Sequence, residues 1–417
     1  MLALEYYPGG LVSGGKDGKA VVLDATVAPL QTIEMGAPVR SVYIGGADLL
    51  VATQKCEISE VKDFLKNNKA SPPIVQGHWD GELWGVSISP DAKTFATAGD
   101  DNTLAVWDIV SRKKLRQTVI NEKAGPVLKG GAKASTTGRH PPNQCARAVE
   151  WSPDGKLLAL GTNAGELRIY DSNSLQLVIS VDLNDFGKRQ IKGQQENWIQ
   201  TLRFSPDGKL LAVGTHGMVI CLVDLRENYK VKGLLKAHNS AITHLDWSKD
   251  GKHLQSNCRG YELLFHDVDA AAVDKSKQNT APKTLRDAAW ASRTCILGWP
   301  VNGIFDPQQD GTDINAVDVA PSQQFLATAD DYGCVNLLRY PCNVAVSGAG
   351  RLRFVDRGRH VRAHFITVSL CLFAQGNKRR TYSGHGSHVA NLRFTANEKF
   401  LISVGGNDKT VLQWKVV

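Results

Sequence analysis

Apolar residues in this chain come in short runs, and tight polar turns separate one run from the next. The clearest stretch starts at Val149 and Trp151, which close one run. Ser152-Pro-Asp-Gly155 follows as a turn, with Pro pre-setting φ and Gly free to take positive φ. Leu157 to Leu160 is a second run, Asn163-Ala-Gly165 turns again, and Leu167-Arg-Ile-Tyr170 alternates into a third. Such runs bounded by Gly, Pro, Asn and Asp predict three short strands joined as hairpins.

The same pattern recurs. Phe204-Ser-Pro-Asp-Gly208 leads to Val223-Asp224, Trp247-Ser-Lys-Asp-Gly251 to His266-Asp267, and Ile88-Ser-Pro-Asp91 to Val106-Trp107-Asp108. Weaker echoes start at Ala320 and Phe394, and Leu11 to Asp24 lies inside another. A repeat of short strands with a period of roughly 40–45 residues is the signature of a β-propeller. The expected fold is all-β, with seven to eight blades of four-stranded antiparallel sheet. Eight strand triplets are clear, and Thr284 to Asp306 reads as an atypical blade with abbreviated strands, which makes one more than a single ring usually holds, so either the first triplet belongs to a neighbouring propeller or two triplets merge. The first and last blades are expected to be incomplete. Residues 1–26 read as a partial blade, with a preceding propeller as one source, and 27–417 as the propeller itself. The last repeat stops on its third strand at Trp414, so an open sheet edge is expected there.

Several phrases go beyond a generic repeat: Gly77-His-Trp-Asp-Gly-Glu-Leu-Trp-Gly85, His238-Asn-Ser-Ala-Ile-Thr-His-Leu-Asp-Trp247, Asp310-Gly-Thr-Asp-Ile-Asn-Ala-Val317, Gly384-His-Gly-Ser-His-Val389 and the closing Val411-Leu-Gln-Trp-Lys-Val-Val417. In these the chain resembles WD-repeat proteins, and more narrowly the echinoderm microtubule-associated protein-like family. The resemblance implies a propeller that corresponds to the second of two tandem ones. It also implies a structural hydrogen-bond network of His, Ser or Thr, Asp and Trp. His78, Thr97, Asp101 and Trp107 occupy those places in the best-formed repeat, and His385, Asp408 and Trp414 form a partial set in the last. A buried Trp N–H and imidazole need partners, so this structural role is expected over a catalytic dyad. Tyr170, Val223 and His266 stand where Trp would be, and His266 is expected to be a packed histidine.

The net charge of +8 changes the picture less than it promises. Residues 344–380 contribute +7 and residues 121–144 contribute +3, so the rest carries −2. The positive charge therefore belongs to two insertions. The first, rich in Gly, Lys and Pro, is expected to be a mobile loop. Three readings of 344–378 stay open: a translated intron, a disordered basic loop, and an ordered insertion. The eight Cys show no metal-type spacing and are expected to be buried, reduced thiols. No apolar run reaches 18 residues, so no membrane-spanning helix is expected.

No phosphate-cradling glycine loop, nucleophile elbow or metal-ligand spacing appears. The expectation is a chain that is no enzyme, with no catalytic, cofactor-binding or metal-binding residues. Function is then expected in the loops of a stiff ring. By resemblance, the partners are tubulin or microtubules, with direct contact in doubt without the family's N-terminal part, and other proteins through the propeller faces. The expected location is the cytoplasm and the microtubule cytoskeleton, with cilium, flagellum or spindle as variants. The alternative is a general WD-repeat adaptor for a signalling or ubiquitin-ligase partner. Specific nucleic-acid binding lacks the interleaved exposed aromatics that single strands need.

Overall fold

A computed structural model describes residues 1–120, 127–129, 144–186, 197–269, 272–305, 314–343, 350–351, 367–370 and 379–416. Most of the 121–144 and 344–380 insertions thus lies outside the described residues. The chain forms eight sheets and divides into two compact units, Met1–Asp80 and a second that begins at Gly81.

The first unit holds two sheets. Ala3–Tyr7, Gly10–Gly14, Lys19–Asp24 and Pro29–Glu34 pair in chain order. This sheet has all four strands where an incomplete one was expected, because Pro29–Glu34 completes it. A boundary at residue 26 falls between its last two strands. Val39–Gly45, Asp48–Thr53 and Ile58–Val61 make a three-stranded sheet. Val12, Val22, Ile33, Val39, Val51 and Phe64 form the shared core.

The second unit is a ring of six sheets. Their inner strands are Leu83–Ile88, Ala146–Trp151, Ile199–Phe204, Ile242–Trp247, Ile314–Val319 and Val389–Phe394. Within a blade, burial falls from inside to outside: Thr103–Asp108 is almost wholly buried, whereas the outer strand Lys114–Val119 alternates half-buried and exposed. Each blade buries its face against the next. Val106 and Leu104 pack with Trp151 and Leu158, and Ile169 and Val181 with Phe204 and Val213. The ring closes where Leu83 N–H donates to Gly406 O (3.2 Å) and Asn391 Nδ2 to Trp84 O (3.4 Å).

One turn repeats in blade after blade. In Ser152-Pro-Asp-Gly155 the serine hydroxyl donates to Asp154 (2.7 Å) and accepts from Leu157 N–H (2.9 Å), and Gly155 takes φ 73°. Ser205 with Asp207 and Ser248 with Asp250 repeat the contact at 2.6 Å. The hydroxyl closes the hairpin from inside, as Asx- and ST-type turns do.

Between the fourth sheet, whose last strand is Lys277–Gln278, and Ile314–Val319 there is no regular sheet among the described residues. The stretch from Pro282 to Ile304 occupies this place, as short 3-10 turns and one bridge from Ser248 to Trp290. The expected abbreviated blade is therefore irregular chain. Its anchor is Asp246, fully buried on the fourth inner strand. Ser292 Oγ (2.6 Å), Gln255 Nε2 (3.0 Å) and the N–H groups of Thr294 and Cys295 (both 2.9 Å) donate to its carboxylate. Trp290, Phe265 and Leu285 pack beneath.

The last sheet, Val389–Phe394, Phe400–Gly405 and Val411–Val416, does not end in an open edge. Thr367–Leu370, within the 344–378 insertion, pairs in parallel with Val411–Val416. Backbone groups on that edge find partners from the insertion rather than from the start of the chain.

Burial opposes ionisation of Asp246, but Arg203 and the donors around it outweigh burial and hold its carboxyl below the ordinary range. Asp246→Ala leaves those donors and Arg203 without their acceptor, so a loss of roughly 3–5 kcal/mol is expected in urea unfolding. Because the folded pKa is depressed, the wild-type contribution is present above the unfolded carboxylate pKa. It is lost as pH falls through the folded value. A loss near or under about 1 kcal/mol, typical of a surface change, would show that the clamp does not hold this segment.

Candidate functional site

Every inner strand of the ring carries a register shift after its first residue: between Leu83 and Gly85, Ala146 and Ala148, Ile199 and Thr201, Ile242 and His244, Ile314 and Ala316, and Val389 and Asn391. The extra residue in each is a bulge, which re-aims its side chain. Those residues are Trp84, Arg147, Gln200, Thr243, Asn315 and Ala390, and all line one cavity of about 900 Å³ on the ring axis.

At its mouth the Arg147 guanidinium lies between two indoles, 4.3 Å from the Trp84 ring centroid and 4.6 Å from that of Trp198. Cation–π attraction on both faces is strongest for tryptophan. Asp100 orients the assembly: it accepts from Trp84 Nε1 (3.2 Å) and pairs with Arg147 Nη2 (3.3 Å). Trp198 stacks in turn on His216 (5.0 Å, 29°). Burial, with Arg259 and Arg147 nearby, lowers the His216 pKa to about 4. The ring is therefore neutral, and its Nε2–H donates to Gln200 Oε1 (3.2 Å). Exposed Arg259 and Tyr261 form one side of the rim, and Glu82, Asp331 and His388 stand elsewhere on it.

Deeper in the channel the inner strands present their fifth residues: Ser87, Glu150, Arg203, Asp246, Asp318 and Arg393. Five of the six are ionisable. Arg203 Nη1 binds Glu150 at 2.8 Å, and Asp318 accepts from Phe394 N–H at 2.7 Å. Burial pushes the Asp318 carboxyl up to about 6 despite Arg393, and burial also raises Glu150. Burial and Arg203 together pull Arg393 down to about 10. His244 is neutral, its pKa lowered to about 4 by burial, so Nε2 donates to Asn315 O at 3.1 Å.

The residues read from sequence as a structural network lie off this channel, inside the blades. Trp107 Nε1 donates to Thr97 Oγ1 (2.7 Å), and Asp101 accepts from the Thr103 hydroxyl (2.7 Å). His78 is buried and belongs to the first unit. In the last blade Trp414 Nε1 and His385 Nε2 both meet Ser403 Oγ at 2.7 Å, and His385 Nδ1 lies 3.4 Å from Asp408. The fourth blade repeats this with His266 in the Trp place: Ser256 Oγ lies 3.0 Å from His266 Nε2 and 2.6 Å from His238 Nε2.

Sequence reasoning did not single out the mouth or the charged belt. Both have a signal once the repeats are aligned on their turns. The belt residue stands two positions before the turn serine or its equivalent, as in Glu150-Trp-Ser152, Arg203-Phe-Ser205 and Asp246-Trp-Ser248. The bulge residue stands three positions earlier still.

The sequence pattern of the family described as the echinoderm microtubule-associated protein second beta-propeller matches residues 83–416. The chain belongs to this family. The match covers the ring and its channel. Among relatives of this propeller, the ciliary WD repeat-containing protein ctxp80 of Euplotoides octocarinatus is 34% identical over 415 residues, 99% of this chain and 51% of that protein. Human echinoderm microtubule-associated protein-like 1 is 32% identical over 98% of this chain and 42% of its own length. Human echinoderm microtubule-associated protein-like 3 is 32% identical over 98% and 38%. The chain thus spans about half or less of the length of these relatives.

Asp318 gives a test of the belt. Its folded pKa of about 6 lies above the unfolded carboxylate value of about 3.9. The native state therefore binds more protons between those values, and this group's contribution to stability falls as pH rises from about 4 to 6 and is constant above. Asp318→Asn removes that titration. Thermal midpoints measured across this window should fall less steeply with pH in the variant than in wild type. Parallel curves would mean that Asp318 ionises normally.

Proposed function

We propose that this chain is a microtubule-associated scaffold module, non-catalytic, that holds a protein partner at the mouth of its channel. Membership of the echinoderm microtubule-associated protein family over residues 83–416 carries this reading. The names of two relatives supply the cytoskeletal part, and that of the third points to a cilium. The mouth supplies the means. Trp, Arg and Tyr are the residues enriched at binding hot spots. Here the Trp84–Arg147–Trp198 stack is held in place by Asp100 before any partner arrives, which limits the ordering cost of binding. The basic insertions at 121–144 and 344–380 add attraction to acidic surfaces, and that attraction weakens with salt. The module works in the cytoplasm on the microtubule cytoskeleton, with a cilium as one location.

The same mouth favours a second reading, a WD-repeat adaptor that docks an extended peptide with no tubulin contact. Co-sedimentation with microtubules separates the two. Three forms should be compared at low and physiological salt: the full chain, a form lacking 344–378, and Arg259→Glu. The first reading expects the full chain to pellet at physiological salt, with Arg259→Glu reducing the bound fraction several-fold, and circular dichroism checks the fold of each form, above all the one that gives up the Thr367–Leu370 edge strand. Pelleting only at low salt, and only with 344–378 present, would reduce the contact to loop charge. No pelleting in any form would leave the adaptor reading.

A further inference from the structure

The fourth and last blades carry related internal networks that differ at several places, among them Thr410, which meets His385 Nδ1 at 2.8 Å in the last blade. Ser256 and Ser403 occupy the same position of the second strand, and His238 and His385 face them in the same way. At the end of that second strand, however, Gly405 in the last blade becomes Cys258 in the fourth. The acid that faces the imidazole changes from Asp408 to Glu262, and the aromatic on the third strand changes from Trp414 to His266.

These differences converge on one point. A Cβ added at Gly405 would run into both His385 Nδ1 and Asp408 Oδ1. A side chain at this strand position therefore points into the gap between imidazole and carboxylate. In the fourth blade Cys258 fills that gap. Its Sγ lies 3.2 Å from Glu262 Oε2, and His238 Nδ1 lies 3.0 Å from the same oxygen. The three donor atoms all lie within 4.8 Å of one another. We propose that His238 Nδ1, Cys258 Sγ and Glu262 Oε2 form a zinc-binding site, with its fourth position open to the axial cavity.

The donor set is one nitrogen, one sulfur and one oxygen, the mixture that suits a borderline-soft ion with tetrahedral geometry. Ligands at about 2.0–2.3 Å from zinc stand roughly 3.3–3.7 Å apart, so the Cys258–Glu262 and His238–Glu262 separations need to open by only a few tenths of an ångström. The outer contacts are already in place, as metal sites require. His238 Nε2 faces Ser256 Oγ at 2.6 Å, and Glu262 Oε1 accepts from Asn239 Nδ2 at 2.8 Å. His238 is fully buried, whereas the Glu262 side chain is 26% exposed and Cys258 lines the channel cavity. The ion therefore has a route in, and its open position faces the mouth where the partner is proposed to dock.

The hydrogen bonds around Ser256 can adapt to the ion. Without metal, His238 Nδ1–H donates to Glu262, Nε2 accepts from the Ser256 hydroxyl, and Ser256 accepts from His266 Nε2–H. Zinc needs the Nδ1 lone pair, so the His238 proton moves to Nε2 and donates to Ser256 Oγ. Ser256 Oγ then accepts from both imidazoles, and its own proton turns to Leu264 O (3.4 Å). The thiol gives up its proton to solvent, so one proton leaves for each ion bound.

The test uses the full chain, freed of metal with a chelator and titrated with cobalt(II), which takes zinc's place and reports coordination through its absorption. A saturable thiolate-to-cobalt band at one equivalent is expected, displaced by zinc, with release of one proton per ion. Cys258→Ser and Glu262→Gln should each weaken binding at least tenfold, while Cys334→Ser, on another blade, leaves it unchanged. Near-UV circular dichroism checks that each variant is folded. Absence of saturable binding in the wild-type chain overturns the site whatever the variants do. So does a band that survives Cys258→Ser, because the thiolate is then another one.

Discussion

Inner strands that converge on an axis force their side chains together, and the residues at the fifth position of each have nowhere else to go. In this ring five of those six are charged, and the structure depends on how they neutralise one another. Arg203 stands between the strands of Glu150 and Asp246 and is bound directly to Glu150. Arg393 acts on Asp318 and Glu150 across the other side of the channel. Each ion out of water needs a counter-charge or a dense set of hydrogen bonds. Asp246 has both, and the hydrogen bonds it accepts anchor the irregular chain that replaces a blade. The belt therefore does two jobs with one set of charges: it fills the axis, and it fixes a segment of the ring that no β-ladder fixes.

Above the belt the constraint changes from charge to backbone. A bulge near the start of each inner strand rotates one residue out of the pleat, so the ring presents six side chains at its mouth without loosening the sheets behind them. Their side chains stand outside the ladder, which gives residue type more freedom there, and Trp, Arg, Gln, Thr, Asn and Ala all occupy the position. Trp84 and Arg147 use that freedom to build a stacked surface. Rigidity and recognition are separated by three positions along the same strand.

Much of this was legible in the sequence. The Ser-x-Asp-Gly turns and the strand triplets follow from local chemistry, because a tight turn demands particular residues nearby, and the Trp107–Thr97 contact is one that the resemblance to WD-repeat proteins implied. The stretch from Thr284 to Asp306 stood out as an atypical blade with abbreviated strands, but among the described residues its apolar pieces form 3-10 turns and a single bridge instead. What holds it was not legible, because Asp246 is 46 residues from Ser292 in the chain and its carboxylate looks like an ordinary repeat position. The outer edge of the last sheet was also hidden. Its partner, Thr367–Leu370, pairs in parallel across a long connection, which no hairpin signal marks. Cys258 and Glu262 escaped notice for a related reason: each is unremarkable until the fourth blade is laid over the last.

That comparison between blades says more than either blade alone. A repeated fold supplies several copies of one network, and neighbouring blades hold a copy in place through their shared apolar cores. Leu245, Trp247 and Leu254 pack with Leu210 and Leu222 of the preceding blade. Trp247 Nε1 also reaches back to Arg203 O at 2.9 Å. With its position fixed in this way, the fourth blade does not depend on a Trp in its network for its place in the ring. The polar network inside it can then change residue types while the strands stay in register. A solitary hairpin could not absorb such changes, because the network would be its main tertiary anchor. Divergence within one repeat of a closed ring is thus a place where new chemistry arises at low structural cost.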